Sequence, residues 1–113
     1  MHELSIVLGI VDLAEQQLAK NGGKQIHEIE LEIGYLAGVS WDALEFAWQE
    51  GVKGTVLEQS ERKLNKIKGQ GVCLDCDREF EVKQQGTPCP HCGSYLIHIE
   101  KGKELRVVSL LVD

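Results

Sequence analysis

From Glu3 to Lys20 the apolar residues Leu4, Val7, Leu8, Val11, Ala14 and Leu18 recur at three- and four-residue steps, so they share one face of a helix. Ile6, Ile10 and Leu13 widen that stripe, and Asn21, Gly22 and Gly23 stop the helix. From His27 to Ile33 the period changes to two: Ile29, Leu31 and Ile33 alternate with Glu28, Glu30 and Glu32, as in a strand with one face buried and a solvated outer face. Gly34 and Gly38 bracket a turn, after which Ser40 can cap a second helix whose buried positions are Trp41, Leu44, Trp48 and Val52 and which ends near Gly51 to Gly54. The two tryptophans at helical spacing read as core packing, not as a stacking surface. A strand is expected within Thr55 to Lys68, and Glu104 to Val112, with Leu and Val on both faces, predicts a central strand.

The stretch from Gly69 to Gly102 breaks this pattern. It is poor in aliphatic residues, contains both prolines and all four cysteines, and cannot build a core unaided. The expected fold is therefore α+β: two helices packed on a small three-stranded sheet, with an inserted four-cysteine module. Residues 1–68 plus 103–113 would form one domain and residues 69–102 the ribbon.

With 113 residues, 42% hydrophobic and 27% charged, the chain suits one compact α+β domain with a small appendage, and it contains no apolar run of the ~20 residues that a membrane span requires. The formal charge of -6 disfavours binding to a phosphate backbone. The opening Met-His-Glu-Leu has no basic stretch before an apolar core, so a cytoplasmic protein is expected.

In that setting thiols stay reduced, and the spacing of the cysteines points to metal. Cys73 and Cys76 form one CxxC pair and Cys89 and Cys92 another, each able to present two sulfurs to one ion. Zn²⁺ favours four thiolates at about 2.3 Å in a closed tetrahedron, a structural site with no open position; iron takes the same geometry. Between Gly69 and Gly102, Arg78, Lys83 and Lys101 face five acidic residues, so the ribbon is not built for nucleic acid. His98 reads as a surface residue, and His91, inside a knuckle, is left open as a substitute ligand.

The second feature of interest is His2. A histidine beside a free α-amine offers its imidazole, its own backbone nitrogen and the terminal nitrogen in fused chelate rings. Such an arrangement suits square-planar Ni(II) or Cu(II) better than Zn(II). Glu3 adds a further backbone nitrogen or a carboxylate.

Met-His-Glu at the start, Leu31-Glu32-Ile33-Gly34 at a strand end, Gly54-Thr55 after the second helix, and two CxxC knuckles before a final strand together resemble the HypA/HybF family of hydrogenase maturation proteins. The resemblance spans essentially the whole chain. It implies a two-domain nickel metallochaperone, not an enzyme, that passes Ni(II) with the GTPase HypB toward the large subunit of nickel-iron hydrogenase, and in some organisms serves urease. It implies nickel ligation by His2, with Glu3 contributing through backbone or side chain, and structural zinc on Cys73, Cys76, Cys89 and Cys92. It leaves room for a homodimer and gives no role to nucleic acid or membrane. Many members carry an acid linked to the nickel site at the start of the second helix, where this chain has Ser40; Asp42 lies about 200° further round the helix axis. The competing expectation is a zinc-ribbon adaptor for a protein partner, with no nickel role. A hydrolase finds no support in any nucleophile-base motif.

Overall fold

The structure is a computed structural model that describes residues 2–113. Helix α1 runs His2–Lys20, strand β1 Ile26–Gly34, helix α2 Trp41–Gly51, and strands β2 to β6 run Glu61–Ile67, Gln70–Cys73, Glu79–Glu81, Ile97–Lys101 and Leu105–Val112. They form two three-stranded sheets, ordered β2-β1-β6 and β4-β3-β5, which together with the two helices give the expected α+β class.

Two compact units can be distinguished. The first gathers the residues up to Leu31, Val39–Leu64 and Val107–Asp113. Its core is drawn from Val7, Val11, Ala14 and Leu18 of α1, Ile26, Ile29 and Leu31 of β1, and Leu44, Ala47 and Trp48 of α2. The two helices pack against each other, and Val7 lies so close to Gly51 that no side chain fits at the end of α2. The stripe on α1 is narrower than its sequence suggests: Leu4 and Leu8 remain 46% and 50% exposed, and Leu13 is exposed as well. The α2 face is shifted in the same sense, with Trp41 half-buried and Ala47 taking an inner place. Trp48 is buried beneath Arg62, whose guanidinium lies 5.2 Å from the ring centroid and also reaches Glu45.

The alternation in β1 places Ile29, Leu31 and Ile33 inside. Its three glutamates are half-buried and bonded, where full solvation was expected: Glu28 pairs with Lys63, Glu30 accepts from Ser109 Oγ, and Glu32 takes two nitrogens of Arg106. The β6 expectation is corrected. The strand lies at the edge of its sheet and leaves Leu105, Val108 and Leu111 exposed, while β1 is central. Apolar content reports which faces of a strand are covered and not which of its hydrogen-bonding edges is paired, so it does not reveal a strand's place in the order. β2 begins only at Glu61; Thr55 to Gln59 form turns, within which Leu57 is buried.

The second unit comprises Glu32–Gly38 and Asn65–Arg106. In it β3 pairs antiparallel with β4 (Gly71 opposite Phe80) and with β5 (Val72 opposite His98). Glycines allow its tightest contact. A Cβ on Gly34 would fall 1.8 Å from the Gly102 carbonyl oxygen, and one on Gly102 would meet the Gly69 backbone at 2.7 Å. Leu36 fills the remaining space, donating its N–H to Gly102 O at 2.7 Å.

Candidate metal centre

The cysteine cluster is built from two copies of one turn. Cys73 closes β3; its N–H donates to Arg78 O at 2.9 Å and its carbonyl accepts from Asp77 N at 2.8 Å. Cys89 repeats both bonds at the same offsets, with Ser94 O and Gly93 N at 2.8 Å each. Each loop turns through a left-handed residue, Asp77 at φ 63° and Gly93 at φ 79°. The backbone is thereby curled so that the cysteines of one knuckle face those of the other.

All four Sγ atoms lie within 4.8 Å of one another, with Cys73 and Cys92 3.5 Å apart and Cys76 and Cys89 3.7 Å apart. A regular tetrahedron with metal-sulfur bonds of about 2.3 Å has edges of about 3.8 Å, so the donor set fits an ion of that kind, zinc included. Cys73 and Cys89 are buried and Cys92 is exposed, which gives the cluster one open side. Without a cation the thiols of Cys76, Cys89 and Cys92 compete for protons. Burial raises the Cys89 thiol, but the N–H groups of His91 and Cys92 outweigh it and bring Cys89 down to about 7. The Ser94 N–H lowers Cys92, yet the Cys73 sulfur and burial push it up to about 12. One thiolate is stabilised at the expense of its neighbours, and a divalent cation relieves that conflict.

The four cysteines make up the candidate metal-binding group among the described residues, and no histidine belongs to it. His91 lies in the second knuckle, its Nδ1 3.2 Å from the Arg78 guanidinium, and its N–H points at Cys89 Sγ at 3.3 Å. His98 sits on β5 opposite Val72. Asp75 accepts from Ser94 Oγ, tying one knuckle to the segment that leaves the other. That tie went unread in the sequence, because the CxxC spacing does not specify these partners.

His2 and Glu3 occupy the first turn of α1, where backbone N–H groups have no intrahelical acceptor. The His2 side chain is 56% exposed, whereas Glu3 is 6% exposed. One Glu3 carboxylate oxygen, Oε2, accepts the Ser40 N–H at 3.0 Å at the start of α2 and faces His2 Nε2 at 3.8 Å. The hydrogen bond from Ser40 holds the Glu3 carboxyl below its ordinary range. Ser40 also caps α2, its Oγ accepting from Ala43 N. The terminal amine expected to complete the chelate belongs to Met1, which lies outside the described residues. The link from Glu3 to Ser40 escaped the sequence reading because it joins residues 37 positions apart.

Residues 1–112 match the family described as hydrogenase/urease nickel incorporation, metallochaperone, hypA. A protein of Parabacteroides distasonis named hydrogenase maturation factor HypA is 48% identical over 112 residues, spanning 99% of this chain and 97% of that one. A HypA of Geobacter metallireducens is 38% identical over the full length of both chains, and a HybF of Morganella morganii is 37% identical over 97% of each. The solution structure of the Ni metallochaperone HypA from Helicobacter pylori superposes with a TM-score of 0.66 at 24% identity, covering 99% of this chain and 97% of that one, which establishes a common fold.

Proposed function

The chain belongs to the HypA family of hydrogenase maturation factors, and from that premise we propose that it carries Ni(II) on its amino-terminal residues and delivers it for assembly of a nickel enzyme. The observation that supports this most directly is His2: an exposed imidazole in the first turn of a helix, beside backbone nitrogens that no helical hydrogen bond occupies. A carrier must let an incoming site displace its ligands one at a time, and an exposed chelate allows that. The nitrogen donors are the His2 imidazole, the backbone nitrogens of His2 and Glu3, and the terminal amine.

Zinc is the ion we assign to Cys73, Cys76, Cys89 and Cys92. It would cross-link the two knuckles and leave no position for water, so its contribution is to the shape of the ribbon and not to hydrolysis. The recipients we propose are those implied by the resemblance, the GTPase HypB and the large subunit of nickel-iron hydrogenase, in the cytoplasm.

Nickel titration of untagged protein, wild type against His2→Ala, tests the reading. Wild type should bind nickel stoichiometrically; the variant should lose that binding while keeping its zinc content and its circular dichroism spectrum. If the variant takes up nickel normally, the chain is left as a zinc-ribbon adaptor.

A further inference from the structure

A histidine can chelate a metal together with its own backbone nitrogen only through Nδ1, the ring nitrogen nearer the main chain, and Nδ1 has a free lone pair only when the proton resides on Nε2. In this chain Nε2 of His2 faces the Glu3 carboxylate at 3.8 Å. That carboxylate is not loose: it is buried, and its Oε2 is fixed by the Ser40 N–H at 3.0 Å. Histidine ligands characteristically direct their second ring nitrogen at a carboxylate or carbonyl, which sets the tautomer and the ring plane and makes the bound nitrogen a stronger donor.

We infer that the side chain of Glu3 positions His2 and is not itself a nickel ligand: pinned by the backbone of Ser40, its carboxylate holds the proton of His2 on Nε2 and turns Nδ1 toward the incoming ion. This rests on the nickel-carrier reading above and deepens it. Two further observations favour it over ligation by the carboxylate. A metal bound through Oε2 would compete with the Ser40 N–H for that oxygen, at the start of α2 where no helical acceptor can replace it. To accept a hydrogen bond from Nε2–H it need only close by about 0.8 Å, within the freedom of an exposed imidazole. The geometry also gives Ser40 a purpose. The contact uses the main-chain N–H of residue 40, so an acidic side chain there is not needed to organise the site.

Glu3→Gln and Glu3→Ala test the assignment in the untagged, zinc-loaded chain. The glutamine oxygen can still accept from Ser40 but, being uncharged, is a weaker acceptor for Nε2–H, so Glu3→Gln should melt with wild type. It should bind Ni(II) about 10- to 100-fold more weakly in competition with a chelator. The position of its nickel absorption bands and the nitrogen first shell seen by X-ray absorption should not change. Glu3→Ala should show the same loss of affinity and, having lost the Ser40 partner, a lower melting temperature. Wild-type affinity in Glu3→Gln would overturn the positioning role; an oxygen scatterer present in wild type and missing from the variant would overturn it in favour of direct ligation. Nickel retained by His2→Ala would instead defeat the carrier reading itself, so the two failures are distinguishable.

Discussion

Asp77 is the single non-glycine residue with a positive φ among the described residues, and it stands where Gly93 stands in the other knuckle. The strain of a left-handed aspartate and the extra chain entropy that glycine loses on folding are each about 1 kcal/mol or less, and they oppose one another. Asp77→Gly is therefore expected to melt within experimental error of wild type, whereas the β-branched Asp77→Val should lose about 1–2 kcal/mol, measured by thermal denaturation. Gly34 is under a harder constraint. Because a Cβ there would lie 1.8 Å from a backbone oxygen, Gly34→Ala must displace main chain, and a loss of about 3 kcal/mol or more is expected in the same assay. Sequence marked Gly34 as part of a turn but gave no sign of its approach to Gly102, since that contact depends on where a distant segment returns. The cysteines were the opposite case: their spacing alone identified the donor set, because CxxC geometry is local.

At the level of elements, both helices and β1 could be read from periodicity, and their ends from Asn21-Gly22 and Ser40. What could not be read was which apolar positions lie inward. Leu4 and Leu8 satisfy the helical spacing as well as Val7 and Val11 do, and only the placement of α2 decides between them. The edge location of β6 was hidden for a similar reason, because strand order is not written in the residues of one strand. The cap on α2 separates two roles of a single residue. Ser40→Ala removes the Oγ that accepts from Ala43 but preserves the N–H that binds Glu3. Stability should fall by about 0.5–1 kcal/mol with nickel affinity unchanged, a pairing of outcomes that denaturation and metal titration can check on the same sample.

For the molecule as a whole, the two units differ in what sustains them. The first buries a ladder of aliphatic side chains from α1, β1 and α2, while in the second the fully buried side chains are Ile33, Val82 and the cysteines Cys73 and Cys89. Binding of a structural ion contributes on the order of 10 kcal/mol at pH 7, more than so thin a core can replace. Stripping the metal with a chelator should accordingly erase the protected amides of β3, β4 and β5 in hydrogen exchange while helical ellipticity is largely retained. Acid should have the same effect, since each thiolate must regain a proton as the ion leaves. There is a corollary for biosynthesis. β6 completes the first sheet, yet it follows the cysteine ribbon along the chain, so during translation the flank of β1 stays bare until the whole ribbon has emerged. If the ribbon closes on zinc, as proposed above, a cell starved of that ion would hold chains with a sticky, half-finished sheet, and their level would fall to proteolysis and aggregation.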